Sequence, residues 1–213
     1  MLHQINIIVH VLAGCLAMLI GIVAYASTKG DKLHRRMGQI FLFLMGIVIL
    51  TALNGVLFFI DRPLLTVVTL QSAYLSYTGY RVLRIRQSAW QTIDLGIMLL
   101  TLGVLAGFLW QRAVANVLWH QLVVDYLLLY LSIILLFDLL RYFRPKLSFG
   151  PRFWLYDHIF RMTSAFTALV SAGFGTVFAT WEPLNQILPA VLGTGWLVFC
   201  LWYFPRKGKV KSA

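Results

Sequence analysis

Charge is what this sequence most lacks. Only 12% of its 213 residues are Asp, Glu, Lys or Arg, and only 7 are acidic. A water-soluble domain needs roughly twice that share to cover its surface. The shortage excludes an ordinary soluble fold and makes lipid the main solvent. Cysteine is almost absent as well. Cys15 and Cys200 both lie inside apolar runs with no C-x-x-C spacing, which excludes a disulfide framework. Both read as small apolar residues. There is no G-x-S-x-G, no phosphate-binding glycine loop and no paired carboxylate motif, so nothing supports nucleophilic catalysis. Repeats and low-complexity tracts are also missing. The length leaves room for one domain, 1–213.

What is present is apolar and basic. Residues of the apolar class make up 60% of the chain, and the formal net charge is +11. A balance this basic could signal nucleic acid, but the cations fall in short clusters between apolar runs. They therefore read as membrane topology, with no nucleic-acid partner. A spanning helix needs roughly 20 apolar residues, and seven segments qualify: about 5–28, 36–60, 64–83, 92–111, 114–140, 153–179 and 185–204. The expected fold is all-α, a polytopic seven-helix transmembrane bundle. Gly30 is placed to cap the first helix, Asp61-Arg62-Pro63 makes a turn, and Glu182-Pro183 separates the last two segments. Ala24-Tyr25-Ala26 has the small-x-small form of a cleavage site. No Lys or Arg precedes the run and the run is long, so it reads as a permanent helix.

The cations also set an orientation. Loops one, three and five and the C-terminal tail carry 15 Lys and Arg; the opposite side carries Arg62 and Arg112. The positive-inside rule then puts the amino terminus outside and the carboxyl terminus in the cytoplasm. Trp90, Trp154 and Trp202 are expected in the inner aromatic belt. The expected location is the bacterial cytoplasmic (inner) membrane, with anionic lipid headgroups drawn to the inner face. Gly103-x-x-x-Gly107 is a close-approach motif, and Thr163, Thr167, Ser171 and Gly175 form a small-residue helix face.

Polar groups inside lipid are the informative residues, since each usually faces the bundle interior and has a task. Depth sorts them into two tiers. The outer tier holds His10, Asn54, Gln71 and His120, with Asp125 deeper near the midplane and Gln121 on the same helix face. His10 and His120 could ligate haem iron between helices one and five. Alternatively, each could simply bond a carbonyl. Asp125 and Gln121 suit a proton or ion path. The inner tier holds His34, Asp94, Asp138, Asp157, His158 and Arg161. His34, Asp94 and His158 sit at three helix starts, and two His with one carboxylate is a ligand set that zinc or iron accepts. Arg161, three residues past His158, points to an anionic ligand such as a propionate or phosphate, or to pairing with Asp94, Asp138 or Asp157.

Two motifs resemble a family of bacterial seven-helix membrane proteins of unknown function. One is Lys29-Gly30, Leu33-His34-Arg35 and Gly38. The other is His158, Arg161-Met162, Ser164 and Thr167-Ala168. His10, Gly14 and Gly21 look like that family's first helix. The resemblance implies that His34 and His158 belong to one site and implies no reaction. Membrane hydrolases of the ceramidase and haemolysin III type carry paired histidines on the last helix, and retinal proteins carry a lysine there. Residues 185–204 contain neither. Four readings follow: a haem or metal-binding membrane protein with b-type haem electron transfer in view; a zinc or iron site serving a hydrolase or sensor; a proton or small-solute transporter using Asp125; and a structural or accessory subunit without chemistry.

Overall fold

The computed structural model describes residues 2–58, 63–86, 89–114, 122–144, 150–181 and 184–206. Among them are seven α-helices: α1 (Leu2–Ala26), α2 (Lys32–Phe58), α3 (Pro63–Ile85), α4 (Thr92–Val114), α5 (Leu122–Phe143), α6 (Phe153–Val177) and α7 (Leu184–Arg206). A 3₁₀ turn, Ala179–Trp181, leads into α7. No strand occurs among the described residues. Five helices, α1, α2, α4, α5 and α7, contain stretches long and apolar enough to cross a membrane. The other two, α3 and α6, bury polar side chains. On α3 these include Gln71, Ser72, Ser76 and Thr78; on α6, Asp157, Arg161, Thr163 and Ser164. They form the interior pair, shielded by the more apolar helices.

The turn chemistry explains the first boundary. Gly30 takes a left-handed φ of +80° in the turn before α2; α1 ends four residues earlier, at Ala26, so Gly30 does not cap it as expected. Asp31 then opens α2: its Oδ1 accepts from Lys32 N at 2.7 Å and its carbonyl from Arg35 N at 3.0 Å. Helix α2 therefore starts four residues earlier than the apolar pattern suggests, and His34 lies inside it. Pro63 occupies the first position of α3, where its missing N–H costs nothing. The fourth and fifth helices are separate, as expected, but α4 runs on through Val114, three residues past its expected end, because Arg112-Ala113-Val114 holds no helix breaker.

The most extensive contacts pair α1 with α2, α3 with α6, and α6 with α7; α4 packs on α5. One apolar cluster joins α1 and α2 to Leu169 of α6. The other joins α3, α4 and α5 to Ala165 of α6. Close approach occurs where glycine allows it. A Cβ at Gly21 would meet the Phe166 ring at 2.5 Å, and one at Gly79 would meet Met162 Sδ at 2.9 Å. Gly193 abuts Thr167 of the small-residue face. Gly103 and Gly107, expected to mediate such an approach, have no described atom within 4 Å of a Cβ. Their face of α4 is turned away from α5 and α3.

Candidate functional site

At one end of the bundle α3 and α5 finish and α4 and α6 begin. Helical spacing brings four ionic side chains together there. Arg161, 1% exposed, is the hub. Its Nη1 and Nη2 form a two-pronged pair with Asp138 at 2.8 and 2.6 Å, and its Nε donates to Asp157 at 2.6 Å, one turn earlier on α6. Nη1 also reaches Thr78 Oγ1 at 2.8 Å, and Tyr74 Oη donates to Asp138 at 2.7 Å. Arg141 holds the other oxygen of Asp157 at 2.6 Å. Two guanidiniums and two carboxylates thus cancel. A lone buried ion would be expensive, so the cancellation is a condition for burying any of them. Trp90 covers both guanidiniums, with its ring 5.3 Å from Arg141 and 5.7 Å from Arg161. It is buried over this cluster.

Asp94 heads a second knot. In the first turn of α4 it pairs with Arg81 Nε and Nη2 at 2.6 and 2.7 Å and accepts from Tyr77 Oη at 2.8 Å. Its carboxylate also takes the Gln91 backbone N–H at 2.8 Å, an N-terminal capping bond. These four donors occupy both oxygens. The expected grouping of Asp94 with His34 and His158 does not form. Among the described residues no three His, Cys, Asp or Glu gather as a metal site.

The histidines are held in one common way. His34 Nδ1 lies 3.0 Å from Ala24 O, at the end of α1, and His158 Nδ1 lies 2.9 Å from Gly79 O on α3. A carbonyl only accepts, so each Nδ1 carries the proton and each Nε2 keeps its lone pair. The Phe41 and Phe166 rings are 6.2 Å apart, and His34 and His158 lie about two turns before them on α2 and α6, which run the same way. Gly38, one turn beyond His34 on the same face, has no described atom within 4 Å of a Cβ.

His10 sits elsewhere, in a polar clasp between α1 and α2. Its Nδ1 donates to Thr51 Oγ1 at 2.9 Å and Val48 O at 3.2 Å. Asn6 bonds Thr51 O and accepts from Asn54, both at 3.0 Å. His120 and Gln121 lie outside the described residues. Asp125 is in the first turn of α5. An acidic residue there faces the positive end of the helix.

Sequence reading named Asp138, Asp157 and Arg161 but missed Tyr74, Thr78 and Trp90. A signal existed on α3, where Gln71, Tyr74 and Thr78 recur at helical spacing and share the buried face with Val67 and Val82. The chain matches no protein-family model, no curated protein and no solved structure.

Proposed function

We propose that this chain is a seven-span protein of the bacterial cytoplasmic membrane whose His34 and His158 form one two-imidazole site for a haem iron. The observation that carries this reading is the shared anchoring of the two rings. A metal-binding imidazole typically donates its other nitrogen to a carbonyl or carboxylate, which fixes the tautomer and aims the free nitrogen. Both histidines have that arrangement, and each lies about two turns before the Phe41–Phe166 ring contact. Each also sits in one of the two motifs that resemble the seven-helix family. Two neutral nitrogens suit haem, which takes two axial ligands, better than zinc, which takes four. When bound, haem would supply one-electron transfer; the chain's own part is to hold two imidazoles with their Nε2 atoms free.

Fifteen cations at one set of loop ends, against two at the other, support an amino terminus outside and a carboxyl terminus in the cytoplasm. Absorption spectroscopy of protein purified from haem-supplied cells tests the site. A Soret band is expected in the wild type and in His10→Ala, and its loss in His34→Ala and in His158→Ala. No band in the wild type removes the haem reading.

One observation favours a second reading, a structural or accessory subunit. The ionic side chains around Arg161 and Asp94 satisfy one another, which is what a bundle held together by internal pairing needs. Under that reading the wild type carries neither haem nor metal, and the variants at Arg161 fail in assembly alone.

A further inference from the structure

A groove between α2 and α3, about 420 Å³ in volume and open along its side, has no charged lining. That size falls within the ~300–1,000 Å³ typical of small-molecule sites. Its walls include Leu42, Gly46 and Ile49 of α2 and Ala73 of α3. One polar atom is out of place in it. Ser76 lines the groove, is 6% exposed, and its Oγ has no hydrogen-bond partner among the described residues. A buried hydroxyl without a partner costs free energy, so a donor left open on this wall points to a ligand that accepts.

The polar end of the groove supplies a second and independent signal. Tyr80 lines it, and Arg84 folds back along α3 to place Nε and Nη2 at 3.0 and 2.6 Å from Tyr80 Oη. Across the groove, Arg36 precedes Gln39, Phe43 and Gly46 at helical spacing on α2. Both arginines are exposed. Two cations therefore bracket the mouth of an apolar channel, with a hydrogen-bond donor one turn, ~6 Å, deeper than Tyr80. A molecule complementary to this order has an anion, then an acceptor, then a hydrocarbon chain.

We propose that the groove binds one anionic glycerophospholipid. Its phosphate meets Arg84 and Arg36, an ester carbonyl accepts from Ser76 Oγ, and one acyl chain runs along Gly46, Ile49 and Ala73. Charge complementarity selects this occupant. A zwitterionic lipid would bring its own ammonium beside the two arginines, a neutral isoprenoid would leave them without a matching charge, and a second protein copy would not answer the Ser76 hydroxyl.

Native mass spectrometry of the purified chain, with phosphatidylglycerol and phosphatidylcholine added in competition, tests this. The wild type should retain one phosphatidylglycerol with roughly tenfold or greater preference. Gly46→Leu should abolish the adduct, since a Cβ there meets no described atom and the added side chain enters the groove. Should Gly46→Leu fail to fold, the exposed pair Arg36→Gln/Arg84→Gln carries the test, and its preference should vanish. Equal binding of the two lipids by the wild type overturns the proposal. So does an unchanged adduct in the folded Gly46→Leu variant, an unchanged preference in the double variant, or retention of a neutral isoprenoid or a second copy on this face.

Discussion

Replacing Asp138 with Asn should be among the most damaging single changes available in this chain. Asp138 is fully buried and takes both prongs of Arg161 at 2.8 and 2.6 Å, with a third bond from Tyr74. The amide keeps the shape but removes one of two negative charges from a cluster that is neutral only because both are present. Arg161 is left sharing Asp157 with Arg141. Breaking a buried pair by removing one partner costs about 3–5 kcal/mol. For a chain of this length each kcal/mol lowers the unfolding midpoint by about 2–4 °C, so the expected fall is on the order of 6–20 °C. Removing both partners restores neutrality: Arg161→Gln with Asp138→Asn leaves Arg141 and Asp157 paired. The double variant should lose much less than the two single losses combined. The assay is reversible unfolding in mixed micelles, run as a double-mutant cycle. Single losses below about 1 kcal/mol, or strictly additive losses, would refute the claim that the four charges act as one neutral unit.

Other outcomes follow from the same contacts. Gly79→Val should unfold the α3–α6 interface early, since even a Cβ there sits 3.2 Å from Arg161 Cβ and 2.9 Å from Met162 Sδ, whereas Gly103→Val should be tolerated in the same thermal melt. Asp94→Asn should weaken the α3–α4 link by about 1.5–3 kcal/mol, because charge-assisted bonds from Arg81 are lost; hydrogen exchange at the start of α4 should report it. Lys29→Gln should fray the end of α1, where Nζ donates to Ala24 O at 3.1 Å and Tyr25 O at 2.6 Å; faster exchange of the residue 24–28 amides is the readout. Thr51→Val should loosen the α1–α2 clasp by about 1 kcal/mol through His10, without touching cofactor content, as measured by unfolding and absorption together.

Much of the architecture was legible in the sequence because lipid imposes a blunt rule: long apolar runs become helices, and breaks become turns. Seven runs correspond to the seven α-helices among the described residues, and Gly30 marked the first turn through backbone chemistry. Boundaries moved where that rule gives no signal, as at Arg112-Ala113-Val114, which looks like an interruption by polarity but has no breaker. The site was half legible. Asp138, Asp157 and Arg161 stand out because charge in an apolar helix is rare. Their partners do not, since Tyr74 and Thr78 are ordinary helix residues until α3 is set against α6. Trp90 reads as an interfacial aromatic by position, and only the fold turns it over two guanidiniums. Asp94 failed as a metal ligand because the pairing of Arg81, thirteen residues earlier and across a turn, cannot be read from spacing alone.

The central claim is that His34 and His158 offer their Nε2 atoms to one iron. Low-temperature electron paramagnetic resonance of the oxidised, haem-loaded protein tests it most directly. A low-spin bis-imidazole signal is expected in the wild type and in His10→Ala, and no haem signal in either His34→Ala or His158→Ala. A low-spin signal that survives both of those substitutions would contradict the account.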